Sequence, residues 1–493
     1  MGGAAGLLAT AGLAAQADAP LAPGELRAGD LLVTGGVLWD GTGEGARPNP
    51  GIHIRNGTIL SVGGRTAWAV PDGPPGRSTD AGGVRRLVLP DDAFALPGLI
   101  DLHAHYAVDL FGEGRVDEYT VNPVLFLANG ITTTFPAGEV DPETAREGRR
   151  RIAAGEIPGP RIYASGPYWG TARPGWDAAA MTPDSVRDEA RVWAERGVRG
   201  FKAKGLGPDQ LEALVQVAHE HGLTVTGHLG SGFRRSVNPR EAILLGIDRV
   251  EHFLGGDALP LDRPAYTSLE ALDLDDPATA EAIRRQARLF VEQGTYFDAT
   301  LTAYGYYADR EPAVFEHWED PASFLTSYAR SVVEAQLPRE PVEQFRRIYY
   351  LKRHTVKAFV DAGGADLLTT GTDHPSWGEF WSGFGIHREL HAMVLAGLSQ
   401  ETALRAATAN AARALNAGDR LGTVEPGRWA DLYVVRGNPL RAITDTREGL
   451  WVVRAGTVHE PAALLDSVRG RMGPASEAEA DWWKGDVRLG GDR

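Results

Sequence analysis

The fold class this chain predicts is α/β. It reads as a (β/α)8 TIM-like barrel carrying a small composite β-sandwich domain formed by N- and C-terminal segments. Three observations carry that reading. Strand-like apolar runs alternate with helical patterns through the middle of the chain, and β-rich segments of similar character flank that middle on both sides. Side chains able to do chemistry recur where the apolar runs end.

The flanks come first in the chain. Asp30–Trp39 and Gly51–Leu60 read as strands of a hairpin-rich sheet, with Asn56-Gly57 supplying a tight turn. Ala430–Pro439 and Leu450–His459 have the same character, so one sheet built from both ends is the economical expectation. Strands in the middle are expected at Leu96–His105, Ile131–Phe135, Arg161–Ser165, Gly200–Lys204, Thr224–His228, Arg249–Phe253, Thr295–Leu301 and Leu367–Asp373. Helical patterns lie between most of them: Pro142–Ala154, Pro183–Arg196, Pro208–His221, Pro239–Leu245 and Pro277–Gln293. The expected segments are a tail over 1–28, sandwich parts over 29–95 and 419–460, a barrel over 96–418, and an extension over 461–493. Between the seventh and eighth runs lies a long insertion rich in aromatics: Tyr304, Tyr306, Tyr307, Phe315, Trp318, Phe324 and Tyr328. It is expected to form a lid or substrate wall, or simply to pack.

Composition sets limits. At 493 residues the chain exceeds one ordinary core, and 43% apolar with 23% charged residues is the balance of a soluble globular protein. A formal charge of −15 argues against nucleic acid as a partner. The absence of cysteine excludes thiolate metal sites, disulfides and cysteine nucleophiles. No apolar run is long enough to span a bilayer. Gly2–Ala15 followed by Gln16–Pro20 resembles a signal core and cleavage site without its basic start, which tilts expectation toward a periplasmic or secreted protein over a cytoplasmic one.

The chemistry begins at Ala95–Tyr106, an apolar run that ends in His103-Ala-His105. Residues i and i+2 of a strand share a face, so the two imidazoles converge and make half of a metal site. Other expected strand ends contribute Lys202 and Lys204, His228, His252 and Asp373. Any one of these is more often a packed or solvated residue than a ligand. All of them at the C-terminal mouth of a barrel, where such folds place active sites, favour a metal centre holding one or two divalent ions. A lysine beside a cation must be neutral or become a carbamate, which binds as a glutamate would and can bridge two metals. Asp373 is then the expected catalytic residue, taking a proton from the attacking water and passing it to a leaving amine.

Taken together, Pro97–His105, the Lys202 strand, His228, Glu251-His252 and Gly371–Asp373 resemble the amidohydrolase superfamily. Arg388–Leu415 and Leu421–Leu432 resemble its imidazolonepropionase-like, prolidase-like branch. The resemblance covers roughly Leu31 to His459. It implies a barrel with a urease-type composite sandwich, and hydrolysis of C–N bonds at one or two divalent metals, commonly zinc. Carried over to this chain it implies His103, His105, Lys202 as the carbamylated bridge with Lys204 as its rival, His228, His252 and Asp373 as ligands.

The substrate is less constrained. Arg173, Arg234, Arg235 and Arg353 are candidates to pair with a substrate carboxylate, and Tyr168, Trp169, Tyr304, Trp377 and Trp381 are candidates to wall a pocket. His387 is a candidate at the rim. Small substrates such as Xaa-Pro dipeptides, N-acyl amino acids or cyclic amides fit this reading. A mononuclear deaminase, an ester or lactone hydrolase, a non-catalytic binding protein and a homo-oligomeric state all remain open from sequence.

Overall fold

The computed structural model describes residues 26–64, 78–81, 83–112, 114–173, 175–177, 180–305, 312–315, 318–336, 343–375 and 382–484. The signal-like stretch Gly2–Pro20, and Tyr306, Tyr307, Trp377 and Trp381 of the expected pocket and insertion, lie outside the described residues.

The two ends of the chain share one nine-stranded sheet. Leu31–Trp39 pairs antiparallel with Pro50–Arg55 and parallel with Val84–Pro97. Val84–Pro97 in turn pairs antiparallel with Leu432–Arg436, and Gly449–Arg454 and Thr457–His459 continue the sheet. Gly51–Leu60 is two strands rather than one. Asn56 and Gly57 take φ of 49° and 76° and turn Pro50–Arg55 into Thr58–Gly64, the left-handed pair a two-residue hairpin needs. Alternate side chains of this sheet, among them Leu31, Val33, Ile52, Leu87, Leu432 and Val434, form an apolar cluster of their own.

The expected strand at Leu96–His105 is divided between two sheets. Pro97 and Leu96 pair with Leu432 and Tyr433, whereas Leu99–Ala104 pairs in parallel with Ile131–Pro136. The break falls at Gly98, where a Cβ would lie 2.2 Å from Thr132 Oγ1, so a side chain here would collide with that of Thr132. From there parallel strands succeed one another: Leu99–Ala104 (first), Ile131–Pro136 (second), Arg161–Ile162 and Tyr168–Trp169 (third), Gly200–Lys204 (fourth), Thr224–His228 (fifth), Arg249–Glu251 (sixth), Tyr296–Asp298 (seventh) and Leu368–Thr369 (eighth). The eighth also meets the first: Leu102 N donates to Thr370 O at 3.0 Å, and Ala104 bridges in parallel to His374. Arg249, buried, reaches from the sixth strand to Leu102 O of the first at 3.1 Å.

Helices lie between the strands much where proline and the apolar period place them. Pro142–Ala153 starts at Asp141, whose carboxylate accepts from Glu143 N and Thr144 N, and Pro277–Gln293 starts in the same way at Asp276. Along Pro208–Glu220, Leu211, Leu214 and Ala218 form a buried stripe in the same apolar cluster as Phe201 and Val225 of neighbouring strands. No described helix is long and apolar enough to cross a membrane.

Asp30, fully buried at the head of the terminal sheet, accepts bonds from Arg55 Nε (2.7 Å) and Nη2 (2.9 Å), His53 Nε2 (2.7 Å) and Arg27 N (2.7 Å). Burial alone would raise its carboxyl. The bonds from Arg55, Arg27 and His53 outweigh burial and hold it at about 2, below the ordinary 3.8. A depressed carboxyl stabilises the fold above its unfolded value and loses that contribution as pH falls through the folded one. Asp30→Asn should therefore unfold at lower urea than wild type at neutral pH, and the gap should close as pH drops from about 4 toward 2. A gap that stays constant with pH would show that the carboxylate charge is not what holds this corner.

Candidate metal centre

The site grows from the first strand, every residue of which is buried. His103 and His105 project to one side, with ring centroids 5.3 Å apart. Beneath them Asp101 ties the first strand to the segment that leaves the eighth. Its carboxylate accepts His103 N (3.0 Å), Thr372 N (3.1 Å) and Thr372 Oγ1 (2.7 Å), and burial raises it to about 7. Asp373 N donates to His103 O at 2.8 Å, and Asp373 Oδ1 lies 3.2 Å from His103 Nε2 and 2.7 Å from His105 Nε2.

The fourth, fifth and sixth strands complete the ring. The His252 imidazole lies tilted 5.1 Å from that of His103 and edge-on 4.4 Å from that of His228. Lys202, buried, bonds to Glu251 on the sixth strand. Glu251 also accepts Thr226 Oγ1 at 2.8 Å and approaches His103 Nδ1 to 3.5 Å. Register separates the two lysines: Lys202 is level with Thr226, inside the ring, and half-buried Lys204 is level with His228 at its rim. The structure thus brings together His103, His105, Lys202, His228, His252 and Asp373.

Backbone geometry marks the same place. His252, Thr300 and Asp373 have φ of 71°, 44° and 57°, left-handed values that cost a side-chain-bearing residue roughly 1–3 kcal/mol each and gather at functional sites.

The electrostatics suit cation binding. Burial keeps His103, His228 and His252 well below the usual imidazole range and His105 at about 4, so all four present neutral rings. Burial likewise holds Lys202 well below the ordinary lysine value. Burial pushes Asp373 upward, but His103, His105 and His252 more than reverse it and keep the carboxylate ionised. The ligand atoms of His103, His105 and Asp373 lie within 4.8 Å of one another, as do those of His103, Glu251 and His252. His252 Nε2 is buried without a hydrogen-bond partner. A neutral, desolvated nitrogen of this kind fits a divalent metal.

Other expected residues divide. Tyr168 is buried beside the centre, where the charges of Arg115 and Asp373 are felt. Tyr304 sets its ring edge-on to His252 at 5.9 Å and shares a hydrogen bond with Tyr266 at 2.9 Å. Arg173 is instead engaged by Glu189 at 2.8 Å, and Arg353 donates to Leu395 O at 2.6 Å. His387 packs against Trp318 and Tyr433 rather than against any histidine of the cluster. Trp377 lies outside the described residues. Sequence reasoning did not single out Glu251, Asp101, Arg115, Asp298 or Lys352. The Glu251-His252 pair was visible, but its carboxylate becomes significant only when the fourth strand sets Lys202 against it.

The model of the amidohydrolase family matches residues 94–301 and 348–455, more than half of the chain. The chain belongs to the amidohydrolase family. This amidohydrolase is accordingly a hydrolytic enzyme of carbon–nitrogen bonds in a family that is generally metal-dependent. A comparison with curated proteins finds no match. Among solved structures it is similar to a Xaa-Pro dipeptidase with bound methionine (21% identity, TM-score 0.60, covering 87% of this chain and 100% of that one). It is also similar to a putative prolidase from Bifidobacterium longum (23%, TM-score 0.62, 90% and 99%) and to phenylurea hydrolase B (18%, TM-score 0.63, 90% and 100%). At these identities the likeness is one of fold.

Gly371 lies directly under the centre. A Cβ there would sit 2.2 Å from Asp298 Oδ2 and 2.4 Å from His103 Cβ. Gly371→Ala should displace His103 and lower turnover by roughly 100-fold, the scale of a 1 Å misplacement at an active site. An alanine variant with wild-type kcat and metal content would show that His103 is not held as described.

Proposed function

We propose that this amidohydrolase cleaves the amide bond of small substrates such as Xaa-Pro dipeptides, N-acyl amino acids or cyclic amides, and that its parallel strands form a closed (β/α)8 barrel with the terminal sheet as a composite β-sandwich. The observation that carries the catalytic reading is one carboxylate oxygen of Asp373 poised against both His103 and His105. His103, His105 and Asp373 would hold one divalent ion, zinc being the expected one. His228, His252 and a carbamylated Lys202 would hold a second. Such ions would lower the pKa of a bound water toward about 7 and polarise a scissile carbonyl.

The protein's own groups do the rest. Asp373, kept ionised by the surrounding imidazoles, accepts the proton of the attacking water and returns it to the departing nitrogen. Lys202 suits carbamylation because burial leaves its amine unprotonated and nucleophilic toward carbon dioxide. Besides the arginines expected from sequence, we assign Arg115 as a candidate partner for a substrate carboxylate. Its charge is felt at both Tyr168 and His105, whereas Arg173 is paired with Glu189. A guanidinium there matches the free carboxylate of a dipeptide or N-acyl amino acid. Tyr168, Tyr304 and Tyr266 line the approach with rings that exclude water. The presence of a Xaa-Pro dipeptidase and a putative prolidase among the structural neighbours supports the choice of substrates.

The test is metal analysis of purified protein followed by a screen of Xaa-Pro dipeptides, N-acyl amino acids and lactams, before and after chelation. Chelator-sensitive amide hydrolysis is the expected result. Ammonia release from an aminated heterocycle with one bound metal would instead establish a deaminase. Asp373→Asn should keep metal at the second position and lose roughly 10²–10⁴-fold in kcat, the range of a general acid–base group. Lys202→Ala should lose metal and regain part of its activity with bicarbonate and a short carboxylic acid. Full metal occupancy without Lys202 would contradict the carbamate assignment.

A further inference from the structure

The helix Glu343–Asp361 ends the insertion between the seventh and eighth strands, and it sends Lys352 into the interior. Lys352 is fully buried, yet it touches none of the histidines. Its Nζ donates to Thr300 O at 2.8 Å and to Thr300 Oγ1 at 3.2 Å, and it sits 4.1 Å from the centre of the Tyr304 ring. Thr300 Oγ1 lies 2.6 Å from His252 Nδ1 and 2.8 Å from Ala299 O. We propose that Lys352 and Thr300 are positioning residues that set the tautomer of His252, so that its Nε2 lone pair faces the metal centre.

A threonine hydroxyl has one proton and two lone pairs. Ala299 O can only accept, so the hydroxyl proton is committed to it. As an ammonium, Lys352 Nζ only donates, so one lone pair receives it. The remaining lone pair faces His252 Nδ1, which must then carry the ring proton. Nε2 is left as a bare acceptor, and it is this atom that is buried without a hydrogen-bond partner. An imidazole whose far N–H is fixed in this way is a stronger and better-aimed ligand.

Thr300 is also held in its left-handed backbone conformation from both sides. Lys352 grips its carbonyl, while the buried Glu389 carboxylate accepts the next two amides, Leu301 N at 2.7 Å and Thr302 N at 2.8 Å. A strained residue persists only where its neighbours overdetermine it. Here the neighbours are a lysine from the insertion and a glutamate from the helix Phe384–Leu395. The insertion therefore reaches the centre through Lys352 as well as through its aromatic residues.

This inference rests on the reading of His252 as a metal ligand, and the test separates the two. Zinc affinity is measured by chelator competition on intact protein, alongside thermal unfolding of the metal-free form. His252→Ala should lose the second metal; if it does not, the ligand reading fails. Given that loss, Thr300→Val should weaken zinc binding by about 10–100-fold, the usual scale for a group that orients a ligand, while Thr300→Ser stays close to wild type. Lys352→Met should weaken binding in the same sense, and adding Glu389→Gln should not restore it. Zinc affinity unchanged in Thr300→Val would overturn the proposal. Recovery in the Lys352→Met, Glu389→Gln double variant would do the same, because Lys352 would then serve only to neutralise Glu389.

Discussion

The rest of the molecule depends on the seam where residues 101–105 lie against residues 370–374. Leu102 N, His105 N and Asp373 N each bond across it, and Asp101 binds both the backbone and the hydroxyl of Thr372. These contacts span some 270 positions of sequence, and they bring Asp373 to His103 and His105. Without the seam the two histidines would lose the one carboxylate that approaches both, and the first strand would lack one of its neighbours. Asp101 stands in an apolar interior, so each of its bonds is made at low dielectric, where leaving it unmade would be costly.

The terminal sheet supports this seam from below. Val84–Pro97 runs from that sheet straight into Gly98 and the first strand, and Leu432–Arg436 pairs along its last residues. The position of Leu99–Ala104 is therefore fixed at its entry by the far end of the chain and at its exit by the eighth strand. Rigid anchoring at both ends suits a centre in which His252, Thr300 and Asp373 all adopt unfavourable backbone angles. Such angles need surroundings that do not yield.

Much of the centre was legible because strand geometry is short-ranged. His103 and His105 share a face by alternation alone, and Gly200–Lys204 and Thr224–His228 have the limits that their apolar pattern and flanking glycines suggest. The residues that escaped notice acquire meaning only through long-range contacts. Glu251 looks like any strand residue until Lys202 is placed beside it, and Lys352 looks like one more charge on a long amphipathic helix. Arg173 shows a different limit of the sequence. An arginine in a loop advertises a carboxylate partner, but the sequence does not say that Glu189 on the following helix is that partner. The third strand was half seen: Arg161–Ile162 was expected, while Tyr168–Trp169, lacking any alternation to mark it, was not.

A central claim of metal binding is tested most directly by anomalous diffraction from crystals grown with zinc. The account predicts a strong peak about 2.0–2.2 Å from the ring nitrogens of His103 and His105 and from an Asp373 oxygen, with a second shared by His228 and His252. Zinc found only at exposed imidazoles such as His219, with the buried ring empty at saturating metal, would contradict it.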